Sequence, residues 1–462
     1  MSFESRFQHL DRRAPIAEDN VAIIHDLEKC KNCTLCRKAC ADTMSVLDYY
    51  DLEATGDNPI CIQCGQCAVI CPFGAMYERT ELDKVKEAIA DPEKIVVIQT
   101  APAVRVSIGE EFGFEPGTYQ EGKMVGALRA LGADYVVDTN FGADLTIMEE
   151  ASELLERKLH GTGPLPQFTS CCPAWVKFCE TFFPEYVSHI SSARSCIAME
   201  SAMVKTYFAK NMNIDPKNIV SVSVAPCTAK KAEIRRPEQN NASRYTGEDL
   251  GPDTDICITT REFAQWIREA ELDFAAVEDS AYDKFIGAAT GGGVIFGNTG
   301  GVMEAAMRAS YKFITGDEPS PAPLLNLTDV RGMDGVKEAS VEIGGHTINV
   351  AVCHGGKNIR EFLNELKESG KTYDFIEMMA CPGGCIGGGG QPRAKLPVAN
   401  KVKGERIEGL YNWDSNMKLR SSYENPEIQD LYKNFLGEPL GHKAHELLHT
   451  HFTDRSAQLG DR

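Results

Sequence analysis

Long apolar runs are missing from this sequence: the longest fall well short of the ~18 residues that a membrane-crossing helix needs. The opening MSFESRFQHLDRRAPIAEDN holds no apolar core of the kind a secretory leader carries, so a soluble, cytoplasmic protein is expected. Positive charge is scarce. Lys and Arg number 48 against 67 Asp and Glu, a net charge of −19, which disfavours nucleic acid, since phosphate binding needs a basic surplus. No G-x-G-x-x-G stands between a strand and a helix, which argues against a direct NAD or flavin site. Low-complexity tracts are also absent. What the chain has in quantity is cysteine, 17 of them in 462 residues. Clustered cysteines in a reducing compartment point to metal rather than to disulfides.

The length allows two to four domains. A small N-terminal unit, residues 1–80, contains a short repeat of two cysteine runs, and residues 81–462 form the larger remainder. Glu81–Ala90 reads as a helix ended near Pro92. Beyond it, short β-branched runs at 94–100, 133–139, 167–170, 218–225, 348–353 and 375–380 alternate with amphipathic stretches such as ADLTIMEEASELLERKL and TREFAQWIREAE. This alternation predicts an α/β fold of parallel sheets flanked by helices. Ligands in such folds collect where loops leave the carboxyl ends of strands. Three of these strands run straight into cysteine motifs, so three loops can converge on one site.

The first N-terminal run is C-K-N-C-T-L-C-R-K-A-C (Cys30, Cys33, Cys36, Cys40), and the second is C-I-Q-C-G-Q-C-A-V-I-C-P (Cys61, Cys64, Cys67, Cys71). C-x2-C-x2-C-x3-C used twice is the spacing of a bacterial two-cluster ferredoxin, in which the fourth cysteine of each run reaches the neighbouring cluster. One [4Fe–4S] cluster is therefore assigned to Cys30, Cys33, Cys36 and Cys71, and a second to Cys61, Cys64, Cys67 and Cys40. The competing reading is a pair of zinc sites. Two clusters side by side imply electron transfer.

The distal motifs are T-S-C-C-P-A-W (169–175), A-P-C-T-A-K-K-A-E (225–233) and E-M-M-A-C-P-G-G-C-I-G-G-G-G-Q-P (377–392). They supply Cys171, Cys172, Cys227, Cys381 and Cys385, enough for a third cubane with one thiol to spare. The glycines after Cys385 let backbone approach a bulky group closely. Lys230, three residues past Cys227, offers a fixed cation for an anionic ligand.

Together these motifs resemble the three signatures of the iron-only ([FeFe]) hydrogenases, and the paired-cluster segment resembles that family's electron relay. The similarity runs from about residue 20 to the C-terminus and takes in FGADLTIMEE, FGNTGGVMEAA and the closing RSSYENP…LGHKAHELLHTHF. It implies reversible formation of H2 from protons and electrons at an H-cluster, a cubane bridged to a diiron unit bearing CO, cyanide and azadithiolate. By position, Cys172, Cys227, Cys381 and Cys385 hold the cubane, with Cys385 bridging. Lys230 faces one cyanide, and the backbone of Ala101 and Pro102 borders the other. Phe296 and Met379 line the diiron pocket, with Gln391 near its loop; for Phe296 and Met379 plain core packing is the competing reading. The implied architecture is a two-lobed catalytic domain with a small α+β, ferredoxin-like N-terminal domain. Maturation proteins must load the diiron unit.

The resemblance also implies a proton route. Glu150, Glu153 and Arg157 stand at i, i+3 and i+7 and share one helix face. Ser191 can bridge the two carboxylates, and the spare thiol of Cys171 can give and take a proton. The implied order from bulk is Arg157/Glu153, Ser191, Glu150, water, Cys171. The chain departs from the common family pattern at Ala225 (usually Met), Ala103 (usually Ser), Ala174 (usually Gly) and Ile197 (usually polar), which marks a subgroup with an Ala-Pro-Cys second motif. Cys196 is placed near the site or as a plain buried thiol, while Cys179, Cys257 and Cys353 read as structural. Lys29, Lys31, Arg37 and Lys38 around the outer cluster suit an acidic ferredoxin or flavodoxin. A slow-turnover H2 or redox sensor built on the same cofactor is the alternative, and a cluster-carrying assembly homologue a more remote one.

Overall fold

The computed structural model describes residues 12–319 and 324–460. An N-terminal two-stranded antiparallel sheet pairs β1 (Ile23–His25) with β2 (Met76–Glu78). The rest is built on two four-stranded sheets. The first comprises β3 (Ile95–Thr100), β4 (Tyr135–Asp138), β6 (Ile219–Ala225) and β7 (Ile256–Thr259), all parallel, in the order β4-β3-β6-β7. The second comprises β5 (Gln167–Phe168), β8 (Val336–Ile343), β9 (His346–His354) and β10 (Phe375–Met379), in the order β5-β10-β9-β8. Here β10 pairs in parallel with both β5 and β9, while β8 and β9 form an antiparallel hairpin.

The parallel strands are covered on both faces, which is why they read as nearly continuous apolar runs, whereas the edge strand β8 alternates buried and exposed residues. Along β3, Val96 and Ile98 enter one core while Val97 enters another. Along β9, Ala351 and Cys353 face one core, and Val350 and Val352 the other. The strands expected at 94–100, 133–139, 218–225 and 375–380 form within one or two residues, and the helix after Glu81 spans Leu82–Ala90. The β8–β9 hairpin went unread: its turn is Gly344-Gly345, both at positive φ (57° and 83°), where glycine has no steric cost.

Five helices position the site. Helix α1 (Thr139–Leu155) starts where the Asp138 side chain accepts from the Asn140 N–H at 2.9 Å, and it continues into a π-helical turn over Glu156–His160. Helix α2 (Pro173–Phe182) follows the first distal motif, with Pro173 in its first turn. Helix α3 (Cys196–Met203) crosses α1 at Gly142; a Cβ there would lie 2.4 Å from the Cys196 carbonyl oxygen. Helix α4 (Gly301–Thr315) carries Glu304 and Arg308. Arg308 is buried between Glu304 (2.6 Å) and Asp414 (2.9 Å), an ion pair that fixes the C-terminal segment to the lobe. Helix α5 (His442–Leu448) packs on α3. Among the described residues no helix is long and apolar enough to cross a membrane.

Candidate active site

Strands β5, β6 and β10 end at Cys171-Cys172, Cys227 and Cys381. Because β5 and β10 belong to one sheet and β6 to the other, the site lies between the two lobes. Cys385 follows on a turn through Gly383 and Gly384 (φ 86° and 84°), where a Cβ on Gly384 would stand 2.6 Å from the Thr299 nitrogen. Cys172, Cys227, Cys381 and Cys385 come together. Burial raises the thiol pKa of Cys385, and so do Cys227, Cys172 and Cys381. Cys381 likewise feels Cys227 and Cys172, and Cys227, pushed up to about 12, feels Cys172. All six pairs are thus within electrostatic reach.

The residues present fit an iron–sulfur group. Cys172, Cys227 and Cys385 are only partly buried as residues, yet burial raises each of their thiols. Backbone N–H groups point at the sulfurs: Ala380 donates to Cys172 Sγ at 3.5 Å, and the amides of Ala229 and Lys230 favour a Cys227 thiolate. Lys230 is buried; burial opposes its charge, and Glu233 at 2.7 Å more than restores it. Its Nζ also donates to the Cys171 carbonyl at 3.2 Å, which leaves one of its three N–H donors for an anionic ligand.

Cys171 lies beside these thiols. Its thiol is pushed well up by burial and then by Glu150, and it lies within the field of Cys385. The buried Glu150 carboxyl is raised to about 8 by burial and by Glu153; Ser170 N donates to its Oε1 at 3.3 Å. Ser191 Oγ donates to Glu153 Oε2 at 2.7 Å, and its hydroxyl also neighbours Glu150. Arg157 donates to Glu153 at 2.6 Å and to the carbonyls of Pro164, His189 and Ile190. A guanidinium keeps its proton at any working pH, so Arg157 orients Glu153 and does not itself pass a proton.

Phe296 and Met379 are buried in the hydrophobic cluster against which Cys171, Cys196 and Cys385 pack. Ala101 and Pro102 are buried at the end of β3. The Gln391 carboxamide is used within the protein: it donates to the Ala103 carbonyl at 2.9 Å and accepts from Ser107 and Thr260, both at 2.8 Å. It therefore ties the third cysteine loop to the loop after β3. Ala225 and Ile197 pack with Ile234 and Cys257, and Cys196 packs against this patch. Cys196 also lies within the fields of Cys171, Cys385 and Lys230. Cys179 and Cys353 belong to the core of the second lobe. Glu233 and Ser192 went unread in the sequence, although Glu233 stands one helical turn from Lys230.

In the N-terminal unit, one hollow is lined by Cys30, Cys33, Cys36 and Cys71, and a second by Cys40, Cys61, Cys64 and Cys67. Asn32 and Thr34 in the first run, and Gln63 and Gly65 at the equivalent places of the second, all take the left-handed conformation. The repeat thus extends to the backbone. Gln63 N donates to Cys61 Sγ at 3.3 Å, and Ala14 N to Cys36 Sγ at 3.4 Å. The second hollow abuts the four-thiol site: Cys64 raises the Cys381 thiol, and a Cβ on Gly389 would lie 2.2 Å from the Cys64 carbonyl oxygen. Gln66 donates to the Gly387 carbonyl (2.9 Å) and Thr228 to the Gln63 carbonyl (2.7 Å), joining the two units.

Thiol-ringed hollows leading to a buried site at the strand ends of two α/β lobes define an iron–sulfur oxidoreductase. Residues 94–389 match the family described as the iron only hydrogenase large subunit, C-terminal domain, and residues 400–455 match the iron hydrogenase small subunit. The NADP-reducing hydrogenase subunit HndD of Solidesulfovibrio fructosivorans is 45% identical over 94% of this chain and 75% of its own length. Iron hydrogenase 1 of Clostridium pasteurianum is 41% identical over 95% and 77%. A solved structure of a variant of the [FeFe]-hydrogenase HydA1 from Chlamydomonas reinhardtii superposes with a TM-score of 0.71 at 40% identity, covering 81% of this chain and 99% of that one. The chain belongs to the iron-only, or [FeFe], hydrogenase family.

Proposed function

We propose that the chain interconverts protons, electrons and H2 at an H-cluster that Cys172, Cys227, Cys381 and Cys385 would hold. The observation that carries this reading is the spare thiol: Cys171 lies beside the four gathered thiols and stands next in line to Glu150, Ser191 and Glu153. When bound, the group supplies the redox chemistry and the open metal position for H2.

The chain's own residues do the rest. Lys230, held charged by Glu233, would orient the anionic ligands of the diiron unit, and the Ala101–Pro102 backbone with the buried Phe296 and Met379 would keep water from it. Glu153, fixed by Arg157, holds a proton that passes through the Ser191 hydroxyl to Glu150. With a pKa near neutrality Glu150 can take and release it, as a relay group must. Cys171 holds the proton at its Sγ facing the cofactor. The thiols of Cys40, Cys61, Cys64 and Cys67 place an inner [4Fe–4S] cluster beside Cys381, and those of Cys30, Cys33, Cys36 and Cys71 an outer one. Cys33 is exposed and Phe73, on the same outer hollow, is 46% exposed, so electrons enter or leave there. The partner is a ferredoxin or flavodoxin, in the cytoplasm, and residues 12–80 act as the electron-transfer domain.

Infrared spectroscopy of the anaerobically matured chain tests this reading. Bands of metal-bound CO and cyanide that shift under H2 are expected. A fully matured protein without them is not a hydrogenase of this class.

A further inference from the structure

Arg157 cannot release a proton, and only 12% of the Glu153 side chain is exposed, so a neighbouring group that loads it from solvent would speed the relay proposed above. The geometry points to His449, in the C-terminal segment, as that group, with exposed His445 as its contact with bulk water; this rests on the Glu150–Glu153 relay. Ser192 Oγ is 2.8 Å from His449 Nδ1 and donates to Glu153 Oε2 at 3.3 Å. The second ring nitrogen, Nε2, lies 2.9 Å from Glu149 Oε2. Glu149 is fully buried on α1 and also accepts from the Leu440 N–H (2.8 Å) and the Tyr432 hydroxyl. His449 is itself buried, and the His445 ring, on the exposed side of α5, lies 4.3 Å from it between centroids. Hydrogen bonds therefore run from the His449 ring through Ser192 to Glu153, the outer carboxylate of the relay, and the solvent-facing His445 ring packs beside His449.

The groups facing the His449 ring are Glu149 and Glu153 from α1, the Tyr432 hydroxyl through Glu149, and His445 from α5. The transfer starts from the imidazolium, with two carboxylates around it. In that form Nδ1–H donates to Ser192 Oγ and Nε2–H to Glu149, while Ser192 O–H donates to Glu153. The transfer breaks the Nδ1–H bond and forms an O–H bond on Ser192. Simultaneously the original Ser192 O–H breaks and its proton bonds to Glu153 Oε2. Neutral His449 keeps Nε2–H on Glu149, and Ser192 then donates back to Nδ1. No electron moves; the cycle closes when a hydronium ion gives its proton to Nδ1, leaving water, as the Ser192 O–H turns back to Glu153. An imidazole is suited to this because its two nitrogens exchange donor and acceptor roles near neutral pH.

The test compares wild type, His449→Asn and Glu153→Gln as matured holoenzymes. Asn can still donate to Ser192 but cannot carry a proton through. In weak buffer, His449→Asn is expected to lower turnover about ten-fold, less than the hundred-fold or more of a group doing direct acid–base chemistry. It should also erase the imidazole limb of the pH–rate profile, and added imidazole should restore part of the rate. A readout independent of turnover is the infrared carboxyl band of Glu153, identified by its loss in Glu153→Gln. Its position should shift in His449→Asn, because Ser192, which donates to Glu153, loses its imidazole partner. An unchanged rate, pH profile and band position would overturn the inference. Should His449→Asn not accumulate folded, exposed His445→Gln decides: a weak-buffer rate restored by imidazole supports the route, and an unchanged one overturns it. If Glu153→Gln itself turns over normally, the relay reading falls; if it is inactive while His449→Asn is normal, only the role of His449 falls.

Discussion

Replacing Glu150 by Gln should stabilise this protein while stopping its turnover. The Glu150 carboxyl is fully buried, its Oε2 has no hydrogen-bond partner, and burial followed by Glu153 raises its pKa from 4.5 to about 8. The native state therefore keeps a proton that the unfolded chain gives up. Stability contributed by this proton is complete below pH 4.5, falls as pH rises through the window from 4.5 to 8, and is level above it. At pH 7 the gap from 4.5 costs roughly 3 kcal/mol, at about 1.4 kcal/mol per unit. Gln cannot ionise and escapes this cost. It retains the acceptor for Ser170 N but brings an amide donor, so a constant offset of about 1–3 kcal/mol can oppose the gain. The slope with pH is the cleaner signal. Urea unfolding at matched iron content, followed by tryptophan fluorescence between about pH 5 and 8, should show Glu150→Gln gaining on wild type with each rise in pH. A stability difference that stays flat across that range would refute the protonated, buried carboxyl and with it the poised relay group.

Cys171→Ala should leave the cofactor's infrared bands in place yet lower H2 turnover by about a hundred-fold or more, because it removes the last proton carrier and no cluster ligand; loss of the bands would make Cys171 a ligand instead. Gly142→Ala should destabilise the chain by about 1–3 kcal/mol in the same unfolding assay, since its Cβ would meet the Cys196 carbonyl oxygen at 2.4 Å and push α3 from α1. Arg37 is paired with Asp48 (2.7 Å) and Lys29 with Asp26 (2.9 Å), which leaves Lys31 and Lys38 as the better docking charges. Lys31→Glu with Lys38→Glu should slow turnover linked to a ferredoxin several-fold in low salt and leave turnover with a small dye unchanged; equal slowing of both counts against docking there.

Much of the site was legible because its residues announce themselves by spacing. C-x2-C-x2-C-x3-C fixes how a loop wraps a cubane, and the left-handed residues at matching places in both runs are its backbone counterpart. The three distal loops were legible because each follows a short apolar strand signal, richest in β-branched residues at β6. Contacts between side chains far apart in sequence were not. Gln391 reads as a cofactor-side residue, yet its carboxamide is consumed by Ala103, Ser107 and Thr260. Arg157 reads as a proton inlet, yet carbonyls of a neighbouring loop hold it in place. Strand β7, ICIT, is too short to stand out by pattern, and the hairpin of β8 and β9 was hidden because alternation of strand and helix suggested parallel pairing throughout.

Anomalous scattering at the iron edge from anaerobic crystals of the matured chain tests the central claim most directly. Iron is expected within each of the two N-terminal thiol rings and inside the ring of Cys172, Cys227, Cys381 and Cys385, with two further irons joined through Cys385 alone. Iron confined to the N-terminal rings, or a third centre that leaves any of those four sulfurs unbound, would contradict it.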